Sequence, residues 1–381
     1  MAKPSLSVIL KVLVSIGVIS IVLMKRSLYQ SSKVTHDSNI ASTEGIPLYN
    51  REMRSVKRGP LLDPSYKTKT LTRLASDLNI DLHLCPQGSK MTNIKVLNSP
   101  PLFNDCPTLF VVGARKGGST SMIQYVSKHE GFKAARLNGP KVGEIFFFSN
   151  KFYKPNKNQW NWYQSNFPPD VMSGESSVTY LVHCQVPQRI FSSCGMQAKI
   201  VMLLRNPIDR FVSNFLMRVR VSDYGNTITE MTPIRSIMEE EMKSFHSIMS
   251  NISFPNVQQG WKNILCKFRP TESMIFEGMY YVHLLNWMCN FPAENILIIN
   301  SEEFYRNTSI ILNQVFQFLG LHPLEQEELR TISEVTYNKG SYENIPRHQQ
   351  LSKEDRQRLN EVFSPFNRAL LNLLNWNIDW T

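Results

Sequence analysis

The stretch Thr108-Leu-Phe-Val-Val-Gly-Ala-Arg-Lys-Gly-Gly-Ser-Thr-Ser-Met122 decides how this chain is read. Leu109 to Val112 is a short apolar run and reads as a buried strand. A turn rich in glycine and hydroxyls follows it. Ser121-Met-Ile-Gln-Tyr-Val-Ser-Lys128 then reads as a helix. Strand, glycine turn and helix together aim backbone N–H groups and a helix N-terminus at an anion. Gly117 and Gly118 let the backbone come close, Lys116 adds a charge beside Arg115, and Ser119, Thr120 and Ser121 add hydroxyl donors. A Walker A loop places its lysine after the glycines, directly before Ser or Thr. Here the lysine precedes the glycine pair, so an ATP or GTP site is a poor match. Taken alone, the stretch also fits a glycine-rich turn that holds no ligand, as the lesser alternative.

The chain has 381 residues, enough for a sizeable core in one large or two smaller domains. Its formal net charge of +11 calls for an acidic partner: nucleic acid, an anionic membrane surface or a polyanionic substrate. No zinc-finger spacing, RNP motif or basic region with heptads is visible, so nucleic acid is not expected. Ser5 to Met24 is almost wholly apolar, interrupted by Lys11, and a bilayer-spanning helix needs about 20 such residues. Lys25-Arg26 follows it, with no small-residue cleavage site, which favours an uncleaved signal anchor. Residues 1–26 are therefore read as a cytoplasmic tip and transmembrane helix. Residues 27–99, polar and basic without sustained periodicity, are read as a stem. Residues 100–381 are read as a luminal domain. Asn251-Ile-Ser253 and Asn307-Thr-Ser309 are glycosylation acceptors on that side. Six cysteines suit an oxidising lumen. Cys184 and Cys194 are the first choice for a bridge because they are near in sequence, and Cys85, Cys106, Cys266 and Cys289 leave many connectivities open. No Cys/His cluster suggests zinc.

Further along, Lys199-Ile-Val-Met-Leu-Leu204 reads as a central strand, with a helix from Asp209 onward. Met172 to Leu181 reads as a strand end and loop, and Val186 to Phe191 as a short helix. Met279 to Trp287 reads as a helix, Ile296 to Ile299 as a parallel-type strand, and Thr308 to Leu319 as a helix closed by Gly320. Ser352 and Asp355 resemble a capping box. Val221 to Lys267 is hard to read. Strands alternating with helices predict an α/β fold: three layers, P-loop-like, with an open and mainly parallel sheet covered on both faces.

The second decisive motif closes the Lys199–Leu204 strand. That strand delivers Arg205 to the sheet edge where α/β proteins place ligands, and Ser213 lies eight residues on, about two turns into the next helix. Arginine offers a planar fork to phosphate, and serine a further donor. Lys-Gly-Gly-Ser-Thr-Ser121 resembles the 5′-phosphosulfate loop of sulfotransferases. Arg-x-Pro-x-x-Arg-x-x-Ser213 resembles their 3′-phosphate site. The two motifs in this order identify a likeness to enzymes that use 3′-phosphoadenosine 5′-phosphosulfate (PAPS).

The resemblance runs from about Pro107 to Trp380. It is closest to the Golgi glycosaminoglycan enzymes: the heparan sulfate N- and O-sulfotransferases and the chondroitin enzyme that 6-sulfates GalNAc 4-sulfate. Glu144-Ile-Phe-Phe-Phe-Ser-Asn150 resembles the family's Lys-Glu-Ile/Pro-His-Phe-Phe segment, whose glutamate is the catalytic base of the O-sulfotransferases. Tyr337-Asn-Lys-Gly340 resembles the late loop that closes on the cofactor, which implies binding roles for Lys339 and Gly340. Glu361 to Asn367, with Trp376 and Trp380, resembles the family's C-terminal helix and terminal tryptophan. Gly143 stands where the family usually has lysine, and Phe146 where it often has histidine. The cysteine pair found before the Lys-Gly loop in heparan sulfate enzymes is absent, so chondroitin-type relatives stand level.

The resemblance implies in-line transfer of a sulfuryl group from PAPS to a glycan hydroxyl, or as second choice an amine, with no metal. Glu144 is the candidate base, and Lys116 the charge that stabilises the departing 5′-phosphate. Arg115 to Ser121, Arg205, Ser213, Lys339 and Gly340 are the candidate cofactor ligands. Glu175 is a further acidic residue in the cleft region, a candidate to position substrate. His183 reads as structural. The implied setting is a single-pass type II Golgi membrane protein acting on an anionic glycan. The competing reading is a catalytically silent protein that keeps the fold and binds anionic glycans.

Overall fold

Alternation of buried side chains along the apolar runs builds one sheet. The computed structural model describes residues 101–103, 105–136, 143–221, 228–250, 273–335, 337 and 344–380. Its strands are β1 (Leu109–Gly113), β2 (Phe132–Ala134), β3 (Met172–Glu175), β4 (Lys199–Leu204) and β5 (Ile296–Asn300). All neighbours pair in parallel, in the order β2-β3-β1-β4-β5. Leu109, Val111, Val201, Leu203, Leu297 and Ile299 face one side. Phe110, Val112, Ile200, Met202, Leu204 and Ile296 face the other. Both faces are covered, which is why Leu109–Val112 of β1 and Ile200–Leu204 of β4 are apolar without a break.

The first face packs α1 (Ser119–Val126) and α9 (Thr308–Leu319) through Met122, Ile123, Leu312, Val315 and Phe316. The second face packs α2 (Lys157–Gln164), α3 (Val186–Cys194), α7 (Tyr280–Met288) and α11 (Lys353–Leu374) through Trp160, Ile190, Trp287 and Leu370. The remaining helices are α4 (Pro207–Arg220), α5 (Ile234–Ser250), α6 (Met274–Glu277), α8 (Ser301–Arg306) and α10 (Gln326–Glu334). The expected three-layer α/β architecture is therefore present. Because every strand is parallel, β1, β3, β4 and β5 all end at one edge. Gly113, Glu175, Leu204 and Asn300 close them there.

Local signals account for most element ends. Asn206 caps α4 by accepting from Ile208 N (2.9 Å) and Asp209 N (3.3 Å), and Pro207 takes the first helical position. Ser352 and Asp355 form the expected capping box of α11. α1 starts at Ser119, earlier than its apolar residues suggest, because Gly118 takes the N-cap position. α5 lies in the stretch that was hard to read. Its buried residues Ile234, Met238 and Met242 recur every four positions, a helical row masked by Glu239-Glu-Glu241.

One expectation is corrected. Cys194 is bonded to Cys106, at a Cα separation of 5.4 Å, and not to Cys184. Cys184 is itself disulfide-bonded elsewhere. α3 lies between Cys184 and Cys194, and a helix rises about 1.5 Å per residue, so it holds them well beyond bridging distance. The segment before β1 instead runs along the end of α3, with Leu102 N donating to Ser192 O and Phe103 N to Ser193 O. The C-terminal residues that carried the resemblance are packing residues: Trp380 is buried against Tyr280 and Trp376, and Asn367 Nδ2 donates to Trp380 O at 3.5 Å. The apolar run Ser5–Met24, the stem 27–99, Cys85, Cys266, Asn251, Lys339 and Gly340 lie outside the described residues. Among the described residues no helix is long and apolar enough to cross a membrane.

Candidate active site

The loop between β1 and α1 is pressed onto the end of β4. Ala114 N donates to Leu203 O (2.8 Å), and Gly117 N donates back to Ala114 O (2.9 Å). A Cβ on Gly117 would stand 2.4 Å from Leu203 O, so no larger residue fits there without moving backbone. Ser301 Oγ, at the start of α8, donates to Gly117 O at 2.7 Å. Lys116 stands at φ 69°, a left-handed conformation uncommon for lysine. Its carbonyl accepts from Arg205 Nη1 at 3.4 Å. The two motifs are thus joined directly. No side chain caps α1, so the N–H groups of its first turn face no competing cap at Ser119, Thr120 and Ser121. Ser121 Oγ donates to Tyr337 O (3.1 Å) and Tyr125 Oη to Val335 O (2.8 Å), which seats residues 335 and 337 against α1.

Two candidate ligands sit differently from the rest. Arg115 turns its Nε to within 3.5 Å of Glu277 Oε1. Glu277 is buried and also takes Arg210 Nη1 and Asn214 Nδ2, each at 2.9 Å. Arg115 therefore belongs to a charge cluster under α4 as well as to the loop. Ser213 is on the buried side of α4, with 1% of its surface exposed.

Glu144 is half-buried on the segment that leads from Gly143 to Asn150. Gly143 stands at φ +87°, and a Cβ there would meet Ile123 Cγ1 at 3.3 Å. Lysine is opposed at this position by backbone and packing together. Ser176 N donates to Gly143 O at 2.6 Å. Glu175, which closes β3, is completely buried. It accepts from Tyr163 Oη (2.6 Å), Ser177 Oγ (2.5 Å) and Tyr180 Oη (3.1 Å). Burial raises its carboxyl from the ordinary 4.5 to about 7, against the lowering effect of those hydrogen bonds. His183 is pushed down to about 4 by burial and by Arg189, and is neutral at physiological pH.

The sulfotransferase domain family matches residues 107–369, and the chain belongs to that family. The chain is 25% identical over 285 residues to a bifunctional heparan sulfate N-deacetylase/N-sulfotransferase 1 of Caenorhabditis briggsae, covering 71% of this chain and 30% of that protein. It is 21% identical over 291 residues to the mouse heparan sulfate glucosamine 3-O-sulfotransferase 3B1, covering 72% of this chain and 65% of that protein. The chain therefore spans less than two thirds of each of these relatives. A sulfotransferase from Alicyclobacillus acidocaldarius shares the fold, with a TM-score of 0.51 at 21% identity over 72% of this chain and 97% of that one. PAPS is the cofactor of this family, and the donor set fits its phosphates: an uncapped helix start with hydroxyls in its first turn, a lysine beside it, and an arginine fork bonded to the same loop.

The sequence singled out the loop, Arg205 and Glu144. It passed over Ser301 and Glu302, whose Oε1 accepts from Asn206 N at 2.9 Å. Their signal was available: they follow β5 at the ligand-bearing edge of a parallel sheet. It also passed over Glu277, and it read Glu175 as an acidic residue of the cleft region that positions substrate.

Proposed function

We propose that this protein transfers the sulfuryl group of PAPS to a hydroxyl, or as second choice an amine, of a glycosaminoglycan of the heparan sulfate or chondroitin/dermatan type. The observation that carries this reading is the bond between Arg205 and the Lys116 carbonyl, which brings two phosphate-binding motifs to one sheet edge. PAPS, when bound, supplies the sulfuryl group and the phosphate that leaves. Arg205, Ser213 and the Lys116–Ser121 loop hold the cofactor's phosphates, with Lys339 and Gly340 closing over it. Lys116 balances charge as it builds on the departing phosphate. Glu144 takes the proton of the attacking hydroxyl, whose own pKa lies far above neutrality.

The same reading places the protein in the Golgi membrane as a type II protein, anchored through residues 1–26 and glycosylated at Asn251 or Asn307. Asn307 is exposed between α8 and α9. The names of the relatives support a heparan-type acceptor, and the missing cysteine pair keeps a chondroitin-type acceptor level with it. Incubation of the purified protein with sulfur-labelled PAPS and a panel of glycans tests the proposal, and transfer to none of them refutes it.

A second reading, a silent glycan-binding protein, is favoured by one observation. The lysine usual beside the base is replaced by a glycine whose conformation opposes any side chain. Glycan binding without transfer would select it.

A further inference from the structure

Glu175 is a carboxylate fully enclosed in protein, and the structure gives it three hydroxyl partners. Burying a charge without a counter-ion is costly, and a chain built only for stability would place an apolar residue there. What the three partners hold explains the placement. Ser177 Oγ donates to Glu175 and accepts from Ile145 N (3.1 Å) and Phe146 N (2.9 Å). Tyr180 Oη donates to Glu175 and accepts from Phe148 N at 3.1 Å. The ring of Tyr163 stacks on Phe147, with centroids 4.4 Å apart and planes inclined by 17°. Each of the residues 145 to 148 is thus held by a group that Glu175 itself orients. On the other side of Glu144, Gly143 O accepts from Ser176 N, the neighbour of Glu175 in the chain.

We infer that Glu175 is the positioning residue of the candidate active site: through Ser177, Tyr163 and Tyr180 it fixes residues 145–148 and so sets where the Glu144 carboxylate stands. This rests on the proposed role of Glu144. An ionised Glu175 accepts all three hydroxyl protons. Those hydroxyls then turn their lone pairs outward, which is the orientation the amides of Ile145, Phe146 and Phe148 require. A glutamine at 175 presents an N–H to one side. The Ser177 oxygen, already accepting two amides, has no lone pair left for it. The titratable groups facing Glu175 are Tyr163 from α2 and Tyr180 from the loop after β3, both held protonated by burial. Protonation of Glu175 near neutrality therefore loosens the same contacts that Glu175→Gln removes.

Four full-length proteins test this: wild type, Glu175→Gln, Glu144→Gln and the double variant, with Ser177→Ala replacing Glu175→Gln if the latter does not fold. Amide hydrogen exchange across residues 143–149 is read first. Faster exchange in Glu175→Gln, with exchange in α9 unchanged, is expected, and unchanged exchange at 143–149 overturns the inference. Losing a hydrogen bond to a charged group costs about tenfold to a hundredfold. Turnover of Glu175→Gln should fall by that factor while affinity for adenosine 3′,5′-bisphosphate and the acceptor KM stay within about twofold. The pH profile should lose its limb near 7. In the double variant, Glu175→Gln should cost nothing beyond Glu144→Gln, because it acts through that residue. Penalties that multiply would overturn the inference. If Glu144→Gln turns over like wild type, the base role falls by itself. Positioning is then decided by exchange alone: faster exchange upholds it and unchanged exchange refutes it.

Discussion

Arg205 Nη1 donates to the main-chain carbonyl of Lys116 at 3.4 Å, joining residues 89 positions apart in the chain. The bond holds a lysine in a left-handed conformation at the mouth of α1. It makes the arginine part of the loop it was expected only to face. Removal of Arg205 therefore acts twice, on the phosphate and on the loop.

Arg205→Ala should weaken binding of adenosine 3′,5′-bisphosphate by about tenfold to a hundredfold, the range for one lost charge-assisted contact or two. Calorimetry on the folded variant measures this. An unchanged Kd would remove Arg205 from the cofactor site.

Gly117→Ala places a methyl group against Leu203 O, where only 2.4 Å is available. The loop must lift off β4, at a cost of about 1–3 kcal/mol. A fall in Tm together with weaker nucleotide binding is expected. A variant with wild-type Tm would mean that the loop does not lie on β4.

At the two positions that depart from the relatives' pattern, the backbone separates the outcomes. Gly143→Lys meets φ +87° and Ile123 and should lower Tm and turnover. Phe146 stands at φ 58°, a conformation in which histidine is found more often than most residues. Phe146→His should therefore fold with near wild-type Tm. Turnover by both variants separates a decayed site from an intact one of different design: a gain with Gly143→Lys would contradict the packing argument.

Glu144→Gln tests the proposed base. A general base contributes about 10²–10⁴-fold and acts in the transition state. Turnover should fall by that factor while nucleotide affinity is kept. Near-normal transfer by this variant would exclude Glu144 as the base.

Glu175 also predicts a pH dependence of stability. Its carboxyl titrates near 4.5 when unfolded and about 7 when folded, because burial disfavours the charge. Between those values the folded state binds more protons, so stability is highest below about 4.5 and falls as pH rises to about 7. Thermal unfolding across this window should show a downward component in wild type that is missing in Glu175→Gln. Equal slopes would mean that Glu175 titrates as a solvated carboxylate.

By itself the sequence determined the strand, loop and helix at Leu109 to Val126, the strand that leads to Arg205, and the cap at Ser352. These are local: buried runs, helical rows and capping side chains act over a few residues. Most element positions were legible for that reason, as was the parallel sheet implied by their alternation. Only the tertiary structure decided which partners meet across the sheet edge. The bond from Arg205 to Lys116, the seat of Gly117 under Ser301, the bridge from Cys106 to Cys194 and the capture of Arg115 by Glu277 all depend on strand order and helix direction. No local period carries that information. Glu175 shows the difference most clearly: in the sequence it reads as an acidic residue of the cleft region, with no sign of what surrounds it. Parallel pairing of β3 beside β1 buries it beneath the Glu144 segment, where its three hydroxyl partners arrive from one helix and one loop.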